Sequence, residues 1–189
     1  LKGYGRHYQT GEVIPDSLIT KISVSRNFNQ GFMTTELVAA AILDMKWHEL
    51  SSVYVPQDCP YASQTDAPAD STGQNEGLKL IDTDKFESYV MAEAGLPEEI
   101  VPRYRTTYFN HIFSGGYAAG YYGYLWAEVL DKDAFELFRK RGVFDPATAA
   151  SFRRNILEKG GSEEPMVLYR AFRGADPDPD ALLRARGLE

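Results

Sequence analysis

Apolar positions recur at spacings of three and four along much of the chain, and helix punctuation marks the breaks between them. Pro15-Asp16-Ser17 is a start signal for a helix reaching about Asn27. Gly31 separates it from a longer stretch, Met33 to Leu50, where Met33, Leu37, Ala40, Ala41 and Met45 make one apolar face. The run Ala39-Ala40-Ala41 is small enough for close helix packing. Asp82-Thr83-Asp84 caps a short helix that Gly95-Leu96-Pro97 ends. Tyr104 to Phe113 reads as partly helical, Ser114-Gly115-Gly116 breaks it, and Tyr117 to Arg141 reads as one long helix stopped by Gly142. Asp145-Pro146 opens a helix to Glu158. Ser162 and its acidic neighbours open another, ended by Gly174, and a last short helix follows Pro179. No segment shows sustained strand alternation, and no internal repeat is visible. The pattern predicts an all-α, multi-helix subdomain over residues 1–189. One loop insertion, residues 55–80, interrupts it, with Pro56, Pro60, Pro68, Gly73 and Gly77 set among Ser, Thr, Asp and Asn.

Composition narrows the function classes. The 189 residues are 43% hydrophobic, enough to bury a core, so a mainly disordered chain is excluded. The net charge of −7 argues against a nucleic-acid partner. No apolar run approaches the roughly 18 to 20 residues that span a bilayer, so no membrane partner is expected. Cys59 is the one cysteine, which excludes an intrachain disulfide and a Cys-based metal site. It fits a reducing, cytoplasmic setting without excluding export, and it reads as a loop thiol without a role. His7, His48 and His111 lie too far apart for a local zinc pair, so no metal ligand is assigned within the chain. His48 reads as structural and His7 as solvated. Leu1 to Tyr8 has no signal-peptide pattern, and the chain is expected to begin inside a longer protein.

Candidate chemistry gathers in Pro102 to Trp126. Six of the twelve tyrosines lie there (Tyr104, Tyr108, Tyr117, Tyr121, Tyr122 and Tyr124), with His111, Arg103 and Arg105. Val101 to Ala127 holds no Asp or Glu, where the chain average would give about four. Gly115-Gly116 permits positive φ and close backbone approach, and helix stability alone would not choose Gly120 and Gly123 inside a helix. Spaced i, i+4 and i+7, Tyr117, Tyr121 and Tyr124 would share one helix face. A row of phenols beside a Gly-Gly loop suits an extended peptide backbone, and a phenol or His111 can donate to a developing oxyanion. The competing reading makes the same stripe core packing.

His111-Ile112-Phe113-Ser114-Gly115-Gly116-Tyr117-Ala118-Ala119-Gly120-Tyr121-Tyr122-Gly123-Tyr124-Leu125-Trp126 resembles the C-terminal signature of the thimet oligopeptidase-like zinc metallopeptidases, most of all their bacterial peptidyl-dipeptidase (dipeptidyl carboxypeptidase) branch. Arg6-His7-Tyr8-Gln9-Thr10-Gly11, Pro15-Asp16, Phe28-Asn29-Gln30-Gly31, Leu43-Asp44-Met45-Lys46-Trp47-His48 and Arg186-Gly187-Leu188 extend the resemblance over most of the chain. It implies the C-terminal part of an oligopeptidase that releases C-terminal dipeptides from short peptides. Tyr117, Tyr124 and His111 then fall at catalytic positions. Tyr121, Gly115, Gly116, Arg103 and Arg105 fall at substrate-binding ones, with the Gly-Gly loop closing over substrate and the arginines suited to a terminal carboxylate. Tyr122 is left to packing. The resemblance also implies zinc in the parent, bound by a His-Glu-x-x-His helix and a later Glu that this sequence lacks and that belong upstream of residue 1. The fragment alone is therefore expected to be inactive. Its expected partners are short peptides, the missing N-terminal part of the enzyme and, through an uncovered cleft wall, a second copy of itself. The alternative is a stand-alone, non-catalytic peptide-binding module.

Overall fold

The computed structural model describes residues 1–188 and divides into two units, residues 32–126 and residues 1–31 with those from 127 on. In chain order the elements are α1 (Asp16–Ser25), α2 (Gln30–Glu49), β1 (Tyr54–Pro56), β2 (Ala62–Asp66), β3 (Leu78–Ile81), α3 (Thr83–Glu93), a 3₁₀ turn (Thr106–Tyr108) and α4 (Asn110–Phe113). Then follow α5 (Gly123–Arg141), α6 (Pro146–Phe152) continued by a π-helical turn (Arg153–Leu157), α7 (Pro165–Arg173) and α8 (Asp180–Arg186). The expected mainly helical fold is what forms.

The unit of residues 32–126 is built around α2. Leu37, Ala39, Ala40, Ala41, Leu43 and Asp44 are all buried, so the middle of the helix is covered on every side. The single apolar face read from spacing is too narrow: Met33 and Met45, assigned to it, are exposed. The alanine run allows the close approach, because three small side chains let neighbours reach the backbone on more than one face. Phe86 and Val90 of α3, Phe109, Ile112 of α4 and Tyr121 complete this core. Trp47 packs on Phe86 at 4.2 Å between ring centres and donates its indole N–H to Thr106 Oγ1 at 3.0 Å.

Residues 55–80, expected to be loop, hold most of a three-stranded antiparallel sheet in the order β1-β3-β2. Tyr54 pairs with Leu80 and Ala62 with Ile81, and an irregularity separates that pair from Asp66 opposite Lys79. The strands run three to five residues, too short for alternation to register, and β2 is Ala-Ser-Gln-Thr-Asp with only Ala62 buried. Asp82 ends the sheet and caps α3, accepting from the backbone N–H groups of Asp84 and Lys85.

In the other unit, Ala134, Leu137, Tyr169 and Phe172 form the core, with Phe138 and Phe152 against it. Asp145 caps α6 by accepting from Thr148 N–H at 2.7 Å, with Pro146 at the first position as expected. Hydrogen bonding from Thr148 holds the Asp145 carboxyl below the usual carboxylate range. Gly174 ends α7 at φ 79°, a left-handed value that favours glycine. The helix α1 has no buried residue, and Leu18, Ile22 and Val24 are exposed along it. Among the described residues, no helix is long and apolar enough to cross a membrane.

Candidate active site

The site region lies wholly within residues 32–126, and its framework starts at buried carboxylates. Glu87 of α3 accepts from Thr106 N–H at 2.8 Å, from Thr106 Oγ1 at 3.0 Å and from Arg105 Nε. That pins the entry to the 3₁₀ turn and hence to α4, which carries His111. Arg103 N–H donates to the Glu36 carbonyl at 3.1 Å, and its Nε lies 4.0 Å from Glu36 Oε2. The acid-free stretch is thus supplied with acids from α2 and α3, which lie far away in sequence. A free cationic surface does not form: Arg105, a candidate for a substrate carboxylate, is already neutralised by Glu87, while Arg103 keeps a partly exposed side chain beside Glu36.

Beyond α4 the chain folds back on itself. Ser114 and Gly115 N–H both donate to the Asn110 carbonyl, at 2.9 and 2.8 Å, and Tyr117 N–H donates to the His111 carbonyl at 3.0 Å. A Cβ on Gly115 would sit 2.8 Å from His111 Cα, and Gly116 has φ 83°, so each glycine is required for its own reason. The helix expected from Tyr117 is delayed: residues 117–122 form turns, Ala119 takes φ 52°, and α5 starts only at Gly123. Gly120 therefore lies in the turns, and Gly123 is the first residue of the helix.

The helical spacing that would align three tyrosines does not exist, but the turns bring two of the rings together by another route. Tyr117 and Tyr124 stack at 5.0 Å with 23° between their planes, and both are exposed. Tyr121 instead enters the core at 3% exposure, edge-on to Phe109 at 4.9 Å. Its burial raises the phenol pKa, against the Arg103 guanidinium beside it. Tyr122, left to packing, is exposed.

His111 is half-buried among rings: Tyr104 at 4.6 Å, Tyr121 at 5.7 Å, Tyr117 at 6.1 Å and Tyr124 at 6.4 Å. Its Nδ1 is buried without a hydrogen-bond partner. The structure thus brings Tyr117, Tyr124 and His111 together with Gly115 and Gly116 behind them. It sets Tyr121 beneath them and ties Arg105 elsewhere. Residue reasoning missed Asp44, Glu87 and Tyr104. The spacing of Asp44 and His48, four apart on one helix, was the available signal for the first.

The Tyr124 phenol is pushed up to about 12, first by its hydrogen bond to Tyr117 and then by its surroundings. Because the folded value lies above the usual one near 10, this bond favours the folded state below pH ~10 and is lost as pH rises through the folded value. Tyr117→Phe removes that hydroxyl, and the Tyr124 phenol is expected to fall back toward about 10. A site-resolved carbon-13 NMR titration of tyrosine Cζ reads this, and an unchanged Tyr124 titration contradicts the pairing.

Residues 1–188 match Peptidase family M3. The chain is 38% identical to dipeptidyl carboxypeptidase of Escherichia coli over 98% of its own length and 24% of that protein's. It is 38% identical to oligopeptidase A of Haemophilus influenzae, over 96% of its length and 23% of that protein's. The dipeptidyl carboxypeptidase of Salmonella typhimurium is 36% identical over 98% of this chain and 24% of its own. The chain thus spans about a quarter of the length of the curated relatives it matches.

Proposed function

The chain belongs to peptidase family M3, and from that premise we propose that it supplies the substrate-facing wall of a peptidase whose other parts lie elsewhere in a longer protein. The observation that carries this reading is the exposed, stacked pair of Tyr117 and Tyr124 beside His111. The Tyr117 O–H donates to the carbonyl oxygen of the bond under attack, with the Tyr124 ring stacked against it. His111 and the backbone of Gly115 and Gly116 line the strip along which the peptide lies. Arg103 is the arginine left for a terminal carboxylate, since Arg105 is held by Glu87. Tyr121 supports the pair from below. The substrates are short peptides, cut to release C-terminal dipeptides, a preference supported by the similarity to dipeptidyl carboxypeptidases.

Among the described residues, no group of three or more His, Cys, Asp or Glu side chains is placed to hold a metal ion. The described residues do not fit zinc, and the zinc of the full-length protein is proposed to be held by residues outside this chain. Chelation followed by zinc repletion in the full-length protein is expected to abolish and restore dipeptide release from a blocked tetrapeptide, read by mass spectrometry of the products. The 189 residues alone are expected to release none. Turnover by the isolated chain sinks the proposal, and so does chelator-insensitive turnover by the full-length protein. The exposed apolar side chains of α1 favour self-association of the isolated chain.

A further inference from the structure

We infer that Asp44 and His48 form a clamp that positions the tyrosine turn, an inference that rests on the reading of Tyr117 and Tyr124 given above. The Asp44 side chain is fully buried. Its Oδ1 accepts from Ala119 N–H at 2.9 Å and its Oδ2 from Tyr121 N–H at 2.8 Å. His48, one helical turn along α2, places Nδ1 2.9 Å from Asp44 Oδ1 and 2.8 Å from the Asp44 carbonyl oxygen. A carbonyl oxygen can only accept, so Nδ1 carries the hydrogen and donates. Two backbone donors therefore converge on one carboxylate, and the His48 ring, bonded to the carbonyl of the same residue, stands beside it.

The two clamped amides lie between the functional rings. Ala119 is two residues after Tyr117, and Tyr121 is three before Tyr124. Fixing both amides to α2 fixes the stretch that lets the two rings stack, although no regular helix connects them. The clamp also accounts for Ala119, whose φ of 52° is unfavourable for a residue with a Cβ and persists where surroundings over-determine it. Packing alone gives no reason for a carboxylate on a helix turn that otherwise buries alanine and leucine. Buried carboxylates are retained where hydrogen bonds satisfy them. Asp44 touches neither ring and acts through the backbone, so it is a positioning residue.

Asparagine is the discriminating replacement. Its amide keeps the shape but has one oxygen, so an N–H₂ must face one of the two backbone N–H groups. In full-length Asp44→Asn, amide exchange at residues 117–124 is expected to speed up at least about tenfold while α3 and α7 keep their rates. For peptide hydrolysis kcat should fall about tenfold with KM changed less than about twofold, as when only transition-state geometry is lost. His48→Ala leaves Asp44 in place, removes one donor and is expected to move both readouts the same way by less. Exchange at 117–124 unchanged in both variants overturns the clamp. If exchange rises evenly across Asp44→Asn, that variant has lost its fold and His48→Ala decides. Faster exchange at 117–124 with unaltered kcat overturns the positioning role. Full activity in Tyr117→Phe would instead sink the reading of the tyrosines, whatever the exchange shows.

Discussion

Tyr117→Phe in the full-length protein is expected to lower kcat for short peptides by about 10²- to 10³-fold, the cost of deleting one preorganised donor to an oxyanion. The ring stays, so the stack on Tyr124 at 5.0 Å and the neighbouring His111 keep their packing. Only the hydroxyl goes, and with it the proposed donor. Tyr124→Phe leaves the Tyr117 donor in place and removes only the neighbouring hydroxyl. Its loss is expected to be smaller, up to about tenfold, in line with one net hydrogen bond. The double variant should lose little more than Tyr117→Phe, because groups that act as a unit are strongly non-additive. KM should move little in any of the three if the donor acts mainly in the transition state. A core role for the rings predicts the reverse, with lowered stability and near-normal kcat. Equal losses that simply multiply would show two independent contacts and no pair.

What sequence reading captured and what it missed divides along physical lines. Helix ends were legible where a single residue type decides them: Asp82, Asp145 with Pro146, and Gly174 all act where their chemistry placed them. Two closures were not, since each depends on partners distant in the chain. The delayed start of α5 is the clearest case. Residues 117–122 have the composition of a helix start, yet Asp44, more than seventy residues earlier, takes the amides of Ala119 and Tyr121 and stabilises turns instead. The missing acids around Arg103 and Arg105 are a second case, because Glu36 and Glu87 come from α2 and α3. The short strands were invisible for a different reason. Strands of three to five residues with no more than one buried side chain each do not need alternation, and backbone pairing with β3 holds them. The candidate site residues were singled out by residue type and by helical spacing, and the spacing did not hold. Tyr117 and Tyr124 meet although no helix spaces them, and Tyr121 is buried although spacing put it beside them.

Asp133→Ala is expected to be the most destabilising single change outside the site, costing about 3–5 kcal/mol. Asp133 is fully buried on α5. It accepts from the Tyr169 hydroxyl at 2.6 Å and from Arg173 Nε and Nη2 at 3.0 and 2.9 Å. Burial, and then the hydrogen bond to Asp133, keep the Tyr169 phenol well above its usual range, so it stays a donor at every working pH. Alanine would leave the Arg173 guanidinium, whose side chain is 16% exposed, without its counter-charge, and would leave the Tyr169 hydroxyl only the longer contact to the Leu130 carbonyl oxygen at 3.3 Å. That loss is a large share of the ~5–15 kcal/mol that holds an ordinary domain folded. The size comes from stranding the partners and not from the net worth of the bridge. Removing all three polar groups together, as Asp133→Leu with Tyr169→Phe and Arg173→Met, strands nothing. It is expected to recover most of the loss, to within about 2 kcal/mol of the parent. Urea midpoints at constant slope read both variants. A triple variant as unstable as Asp133→Ala would show that the bridge itself, through charge and geometry, holds α5 to α7.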